Sequence, residues 1–291
     1  MKIERWVHRG PEDRLPNVMA SCDALNLTSR KQARRLIDEG CCSVNGHIEK
    51  LANTVVFSGD QVEVVIHDKQ ETSLEILYED ECLFILNKPA GMVVDPATID
   101  QALGQKVYLV HRIDKDTSGL FVVAKNPKTQ KYFEDKFRKR EVKKGYLAVV
   151  DGKVQPSQGV IEKPLEKKEG ESPRFGVSPS GKSATTFFRV VLSSHSASLL
   201  FLRPVTGRTH QLRVHMASLD HPILGDHRYA SQFSSSWKAP RHLLHAWKIA
   251  FMHPDFEREL SWTARIPSDM IAAIKALFGK GFRNKLCALS L

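Results

Sequence analysis

From Leu74 onward the chain is dominated by short runs of apolar, β-branched and aromatic residues, and this pattern constrains the fold more than any other feature. Six such runs, each bounded by turn residues, are typical of strands: LEILYED, CLFILNKPAG, LFVVAKN, YLAVVDG, TTFFRVV and SLLFLRPV. Two segments, 127–138 and 210–219, are helix candidates. Strands therefore outnumber helices and do not alternate with them as a doubly wound sheet requires. We predict an α+β fold.

The first 67 residues predict a separate, smaller α+β module. Ser29 is a candidate N-cap for the helix RKQARRLIDEG, and Gly40 is a candidate C-cap. The helix would have an apolar face formed by Ala33, Leu36 and Ile37. The β-rich segment that follows contains Asn45-Gly46 between alternating residues, which is a strong hairpin signal.

Charge is distributed unevenly along the 291 residues, which carry 43 Lys and Arg against 33 Asp and Glu, a net charge of +10. Residues 1–67 contain nine of each sign, so the whole excess belongs to residues 68–291. Within that part, residues 125–144 hold nine bases against three acids. Such clustering indicates either a polyanionic partner or a solvated helix face, and charge alone does not separate the two.

Hydropathy and cysteine content exclude several classes of protein. No apolar run of about 18 residues is present, and the first residues lack the apolar stretch of a signal peptide, so we expect a cytoplasmic protein with no membrane partner. Five cysteines without CxxC spacing argue against a disulfide framework or a zinc ribbon and predict free thiols.

The polar segment HRIDKDTSG precedes the third strand run and contains the first candidate for chemistry. Asp114 lies between Arg112 and Lys115, and these cations are expected to lower its pKa and keep it ionised. An ionised carboxylate can act as a nucleophile or a base; the alternative is a loop-capping aspartate with a surface ion pair. A kinase catalytic loop is excluded because Ile113 interrupts the His-Arg-Asp tripeptide and DFG is absent.

Two further segments carry candidate residues. In TGRTHQLRVH, Arg213 lies within an apolar pattern and needs either a carboxylate, for which Asp114 is a candidate, or a strand carbonyl. His210 and His215 are five residues apart, which disfavours a zinc site on one helical face. In VKKGYLAVVDG, Tyr146 opens a strand after a basic stretch and could stack on a base or simply pack against the core.

Together these segments resemble the RluA-type pseudouridine synthases. HRIDKDTSG, KGYLAVVDG, TGRTHQLRVH and DHPILGD occur in the family's order and spacing, and NKPAGMVV matches as well, over about residues 74–262. The resemblance implies a large mixed, mainly antiparallel sheet in a catalytic domain at 74–281. It also implies isomerisation of uridine to pseudouridine in RNA without a cofactor or a metal.

The same resemblance implies roles for individual residues. Asp114 would be the catalytic carboxylate, Tyr146 would stack on the target base, and Arg213 would pair with Asp114 and aim it. The target uridine would have to leave its stack. Arg112 would fill the vacated space, with a phosphate contact as the alternative, and Arg208 would contribute to RNA binding. The expected partner is ribosomal RNA of the large subunit, with transfer RNA as the alternative, and the protein is expected to act as a monomer.

The N-terminal module resembles the small αL-type RNA-binding domain of a ribosomal protein and several RNA-modifying enzymes. The resemblance covers about residues 14–66 of a domain placed at 1–67, and it is carried by a basic helix followed by VNG and GDQVEV. It implies phosphate contacts from four side chains of the helix: Arg30, Lys31, Arg34 and Arg35. A linker is expected at 68–73 and a basic tail at 282–291.

Two other classes of function compete with this one. A non-catalytic RNA-binding or ribosome-assembly factor could keep the fold, but it would not need Asp114, Tyr146 and Arg213 together. A nucleoside or glycoside hydrolase would need a second, proton-donating carboxylate. Asp116 is the nearest candidate for that role, but its basic surroundings give no reason for a raised pKa.

Overall fold

The computed structural model divides the chain into two compact units, 1–72 and 73–291. It describes residues 2–25, 27, 29–38, 40–49, 51–66, 74–169, 174–230, 232–256, 258–279, 282–287, 289 and 291. The linker predicted at 68–73 lies outside the described residues, apart from the boundary that the division places after Thr72.

The small unit is built on a four-stranded sheet with two short helices. Its described elements in chain order are β1 (Lys2–Val7), β2 (Asp13–Arg14), α1 (Leu15–Ala20), a 3-10 turn (Asp23–Leu25), α2 (Arg30–Asp38), β3 (Cys42–Val44), β4 (His47–Glu49), β5 (Val55–Val56) and β6 (Gln61–Ile66). The main sheet has the order β1-β6-β3-β4, and β2 pairs with β5. Helix α2 places Ala33 and Ile37, both fully buried, in a core with Leu15 and Met19.

Local signals in the small unit are confirmed. The Ser29 hydroxyl accepts a hydrogen bond from the Gln32 amide at 3.3 Å, as an N-cap does. Gly40 follows α2 at φ 70°, and the Gly40 amide donates to the Ile37 carbonyl. Asn45 and Gly46 both have positive φ and connect β3 to β4, which is the geometry that a two-residue hairpin needs.

The large unit contains most of the strands. Its described elements are β7 (Glu75–Glu79), β8 (Leu83–Lys88), α3 (Pro96–Leu103), β9 (Tyr108–Leu109), β10 (Ser118–Ala124), α4 (Pro127–Arg138), β11 (Lys143–Asp151), β12 (Gln158–Glu162), β13 (Leu165–Lys168), β14 (Arg174–Val177), β15 (Thr185–Ser193), β16 (Ala197–Pro204), α5 (Gln211–Ala217), β17 (Leu244–Met252), β18 (Glu259–Thr263), α6 (Ser268–Phe278) and α7 (Phe282–Cys287).

The large sheet is mixed and mainly antiparallel, as predicted. Its ten strands follow the path β12-β15-β16-β11-β17-β10-β8-β7, with β18 paired to β17 and β9 to β10. Among the described strands the β10–β17 pair is the parallel one. All six predicted runs are strands, but the sequence pattern did not reveal β17, which lies between β11 and β10 in the sheet. Its segment LHAWKIAFM is mainly apolar but contains His245 and Lys248, and it lacks the polar–apolar alternation that marks a half-buried strand.

Strand β10 is buried on both faces. Leu120 and Val122 belong to an apolar cluster with Phe133 of α4, whereas Phe121 and Val123 pack in a second cluster with Ile99 of α3. Side chains of a strand alternate between its faces, so a strand covered on both sides reads as a continuous apolar run. Burial on both faces fixes the start of β10, and therefore the polar segment that precedes it.

The structure corrects the sequence prediction at the C-terminus. The sequence predicts a basic tail at 282–291, but residues 282–287 form α7, and Phe282, Leu286 and Leu289 are buried in the main core of the large unit. These apolar residues recur at helical spacing, but they lie within a positively charged segment, and the helix was therefore not predicted from the sequence.

Candidate active site

The three predicted clusters line one cleft in the large unit. Its volume is about 620 Å³, and it is bounded by the segment 110–117, the end of α4, the start of β11, and the β16–α5 connection with α5 itself. Arg112, Asp114, Tyr146, Arg208 and Arg213 all line it. The fold therefore brings together residues that are about 100 positions apart in the sequence.

An ion-pair network lies in this cleft. Nη1 of Arg213 donates to Oδ2 of Asp114 at 3.1 Å. The same guanidinium donates from Nε and Nη2 to the two carboxylate oxygens of Asp226, at 2.6 and 2.8 Å. The pairing of Arg213 with Asp114 is present, as the sequence predicted. Asp226, the last residue of the DHPILGD motif, has no role predicted from the sequence and is the bidentate partner of Arg213.

Burial explains why Arg213 needs two carboxylates. Helix α5 is buried at every position from 211 to 216, and the Arg213 side chain is 8% exposed, while that of Asp226 is 1% exposed. Burial alone would lower the pKa of Arg213, but hydrogen bonds and charge from Asp226, together with Asp114, raise it. The guanidinium also lies over the Tyr229 ring, 5.1 Å from its centroid. The Arg213 guanidinium is therefore a fixed cation that orients Asp114.

Two more basic side chains hold the loop that carries Asp114: the buried Lys88, whose pKa burial lowers to about 7, and the largely buried Arg241. Nζ of Lys88, at the end of β8, donates to the carbonyls of Pro89, Met92 and Lys115 at 2.7, 2.9 and 2.7 Å. Nη1 of Arg241 donates to the carbonyl of Asp116 at 2.9 Å. The carbonyls of the two residues directly after Asp114 are thus each held by a basic side chain, and this fixes the backbone from which the carboxylate projects.

The end of the loop is held by polar contacts with the β17 region. Thr117 Oγ1 lies 2.9 Å from Nε2 of His242, and Ser118 Oγ lies 3.0 Å from Nδ1 of His245. Gly119 has φ 108°, and a Cβ at this position would lie 2.2 Å from the carbonyl oxygen of Ala246. Glycine is required here because the strands approach closely where β10 joins β17 in parallel.

His210 is a second neighbour of Asp114. It precedes α5 in the left-handed region, at φ 55°, and its Nδ1 lies 2.6 Å from the Tyr229 hydroxyl. Its Nε2 lies 3.8 Å from Oδ2 of Asp114. Burial lowers the pKa of His210 and the Asp114 carboxylate opposes that effect. A non-glycine residue held at positive φ beside the Asp114 carboxylate is a local strain of the kind found at functional sites.

Tyr146 and His111 both face the cleft as neutral groups. Burial, reinforced by the Asp114 carboxylate, raises the pKa of Tyr146, so its phenol keeps its proton at neutral pH. Burial lowers the pKa of His111 to about 3, and its Nε2 accepts a hydrogen bond from the Val122 amide at 2.9 Å. The geometry of His111 is that of a group that orders the loop.

The rim of the cleft is rich in cations without counterions. Among the described residues, no carboxylate pairs with Arg112, Arg140, Lys144 or Arg208. Arg208 donates from Nε to the Ser183 carbonyl at 3.1 Å and is exposed, as are Arg112 and Arg140. Arg138, by contrast, pairs with Asp135.

The four predicted phosphate-binding residues of the small unit lie on α2, as expected. Arg30 and Arg34 are exposed. The side chains of Lys31 and Arg35 lie outside what the structure describes.

Metal ligands and membrane spans are both absent from the described part of the chain. No grouping of three or more His, Cys, Asp and Glu side chains with metal-binding geometry occurs there. Within the same residues, no helix has both the length and the hydropathy to cross a membrane.

Comparison with known proteins gives a consistent result. The family model for RNA pseudouridylate synthase matches residues 82–218. The ribosomal large subunit pseudouridine synthase D of Nitrosomonas europaea is 34% identical over 278 residues, which is 86% of this chain and 80% of the relative. The protein of the same name from Escherichia coli K12 is 33% identical over 282 residues, 86% of each chain.

Solved structures agree on the fold. Human RNA pseudouridylate synthase domain containing 1 aligns with a TM-score of 0.61 at 25% identity, covering 73% of this chain and 91% of that one. Human RNA pseudouridylate synthase domain containing 4 aligns with a TM-score of 0.57 at 28% identity, covering 69% and 92%. With relatives this similar along most of their length, the chain belongs to the RluA-type family of RNA pseudouridine synthases.

Proposed function

We propose that this chain isomerises uridine to pseudouridine in large-subunit ribosomal RNA and that Asp114 is the catalytic carboxylate. The observation that carries the assignment is the Asp114 carboxylate in a basic cleft, held at 3.1 Å by the guanidinium of Arg213. The relatives from Nitrosomonas europaea and Escherichia coli bear names that specify the large ribosomal subunit, which supports this RNA as the substrate.

The reaction breaks the N1–C1′ bond of the uridine and forms a C5–C1′ bond. The proton of C5 leaves after the new bond forms, and N1 of the rotated base gains one from solvent, so there is no net change in composition. Attack by Asp114 on the sugar, attack on the base, and proton abstraction that starts an elimination are the three available routes. All three need a carboxylate held in one orientation, which the contacts of Arg213 and the cations behind the loop supply.

Tyr146 is assigned the role of stacking on the base of the target uridine. Its side chain lines the cleft together with Asp114, and its phenol is neutral because burial and the Asp114 carboxylate raise its pKa. A neutral aromatic ring can stack on uracil, a contact worth roughly 1–3 kcal/mol per base. The target must be unstacked from the RNA first, at a cost of a few kcal/mol. Arg112, which lines the cleft and is exposed, is assigned to the space that the flipped uridine leaves in the RNA stack, or to a nearby phosphate.

The small unit is assigned to selecting the RNA. Arg30 and Arg34 are exposed on α2, where guanidinium groups can contact phosphate. Charge supports a division of labour, because residues 1–67 are neutral overall and the excess of positive charge lies in the rest of the chain. The small unit would recognise an RNA structure, and the cleft would supply most of the electrostatic affinity.

The test is pseudouridine mapping of cellular RNA with and without this protein, followed by conversion of the identified RNA in vitro by Asp114→Asn. We expect the rate of conversion to fall by at least about a thousandfold with RNA affinity unchanged. Asp116→Asn is the matched control, since Asp116 lies on the same loop without lining the cleft, and it should retain activity.

Outcomes that contradict the proposal are specific. Appreciable conversion by Asp114→Asn would exclude Asp114 as the reacting group. Identical pseudouridine maps with and without the protein would favour a non-catalytic RNA-binding protein. If the modified sites were confined to transfer RNA, the proposed isomerisation would stand, but transfer RNA and not ribosomal RNA would be the substrate.

A further inference from the structure

Two adjacent lysines at the start of β11 have opposite environments. Lys143 is half-exposed, and its Nζ pairs with Oε2 of Glu259 at 2.6 Å. Lys144 is partly buried and lines the cleft together with Tyr146, two residues further along the strand. The lysine outside the cleft has a carboxylate partner, and the one that lines the cleft has none among the described residues.

The surroundings of Lys144 are apolar or cationic. Its Nζ lies 5.4 Å from the centroid of the Phe137 ring, and a Cβ built on Gly207 would lie 3.7 Å from it. Among the described residues that line the cleft, Asp114 is the one carboxylate, and it is already bonded to Arg213. An ammonium partly removed from water without a counterion is unfavourable, because the remaining solvent and the Phe137 ring compensate only part of its charge.

We propose that Lys144 binds a phosphate of the RNA backbone beside the target uridine and so holds the nucleotide in its flipped-out position. The pairing of β11 with β17 shifts register between Gly145 and Tyr146, and the side chains of Lys144 and Tyr146 both line the cleft. Lys144 and Tyr146 are two residues apart on β11, which is about 6.6 Å along a strand. That separation is comparable to the one between the base and the phosphate of a single nucleotide, so a uracil on Tyr146 would bring its own phosphate to Lys144. The inference rests on the proposed function and adds the contact that fixes the nucleotide.

Phosphate fits this position better than a neutral group of the base. A lysine ammonium is a compact point charge whose interaction is strongest with a full negative charge. A phosphate partner also removes the cost of leaving the cation partly desolvated and unpaired.

The decisive experiment compares Lys144→Gln with Lys143→Gln on an RNA substrate whose target uridine is identified. At saturating RNA we expect Lys144→Gln to lower the rate of conversion about 10- to 100-fold, as for removal of a charge-assisted hydrogen bond. Lys143→Gln should stay within about twofold of the wild type, since an exposed ion pair contributes little. Lys144→Arg, which keeps the charge, should recover part of the rate and so controls for a folding defect.

RNA substrates with a modified backbone test whether the group that Lys144 binds is a phosphate. Substrates carry a single uncharged methylphosphonate at the linkage 5′ or 3′ to the target uridine. At one of these linkages, the substitution should slow the wild type by the same factor as Lys144→Gln does and cause no further slowing in that variant. Equal penalties in both proteins at both linkages, or equal rates for Lys144→Gln and Lys143→Gln, would overturn the proposal.

The pH dependence of RNA binding supplies an independent readout. Burial lowers the pKa of Lys144 to about 8, and the ammonium is the form that binds phosphate. Affinity should therefore fall as pH rises above 8 in the wild type, and less so in Lys144→Gln. The other cleft groups whose pKa is shifted move away from this range: the pKa of His111 is lowered to about 3, that of His210 is lowered and that of Tyr146 is raised.

Failure of this inference is distinguishable from failure of the proposed function. If the wild type converts no uridine in any RNA, the function is wrong. If the wild type converts its target and Lys144→Gln behaves as Lys143→Gln does, the function stands and the phosphate contact is wrong.

Discussion

Basic side chains in and behind the cleft have hydrogen-bonding partners within the protein, whereas those on its rim lack carboxylate partners among the described residues. In the interior, Arg213 bonds to two carboxylates; behind the loop that carries Asp114, Lys88 and Arg241 donate to main-chain carbonyls of that loop. On the rim, Arg140 and Arg208 have no carboxylate partner among the described residues. Satisfied, buried cations fix geometry, whereas unsatisfied cations at the surface are available to an incoming polyanion.

The largest effect is expected where the interior network is broken. Asp226→Asn removes the charge of the bidentate partner of Arg213, in a position where the carboxylate is 1% exposed. We expect the free energy of unfolding to fall by about 3–5 kcal/mol, since a buried cation is left without its main counterion. Urea denaturation followed by near-ultraviolet circular dichroism measures it.

The control for this prediction is Asp269→Asn. Asp269 also accepts two hydrogen bonds from a largely buried arginine, Arg241, but its own side chain is 28% exposed. Solvent can replace part of the interaction that this variant removes, so a clearly smaller destabilisation is expected. Equal destabilisation in the two variants would show that burial is not what separates these pairs.

A smaller effect is expected when the rim is neutralised. Replacing Arg140 and Arg208 together by glutamine should leave the free energy of unfolding unchanged within about 0.5 kcal/mol. The slope of log affinity for RNA against log salt should fall by about 2, because each arginine is expected to neutralise one phosphate. Filter binding at several salt concentrations measures this slope, and an unchanged slope would contradict the assignment of the rim to RNA.

Arg138→Gln tests whether an arginine already paired within the protein contributes to the salt dependence of RNA binding. Arg138 also lines the cleft, but its guanidinium is paired with Asp135. A change in salt slope well below that of an unpaired arginine is expected, because a neutralised cation releases few counterions from RNA. An equally large change would mean that counterions within the protein do not decide which cations bind RNA.

The smallest effect is expected in the small unit. Replacing Arg30 and Arg34 by glutamine should reduce, severalfold, the preference for the target RNA over an unrelated RNA of equal length. The rate of conversion at saturation should not change, because neither residue belongs to the unit that contains the cleft. Competition binding measures the preference, and a reduced rate at saturation with unchanged preference would contradict the assignment.

Much of the fold was predictable from local patterns. The helix at 127–138, the caps at Ser29 and Gly40, and the hairpin at Asn45-Gly46 depend on interactions within a few residues, and each is present. Strand β17 was not predicted because its mainly apolar segment, interrupted by His245 and Lys248, shows no alternation of polar and apolar residues. Helix α7 was not predicted because its few apolar residues lie in a basic segment. Their places are decided by partners distant in sequence.

The sequence by itself determined which residue types could carry the chemistry: Asp114 between cations, Arg213 in an apolar helix, and Tyr146 at the start of a strand. Only the tertiary structure decided that Arg213 is shared between Asp114 and Asp226, that Lys88 and Arg241 anchor the loop, and that Lys144 has no carboxylate partner among the described residues. Local order follows from neighbours along the chain, whereas neutralisation of a charge depends on which groups the fold brings within a few ångströms. The +10 of the sequence therefore becomes informative once the structure separates the cations that are satisfied from those that are not.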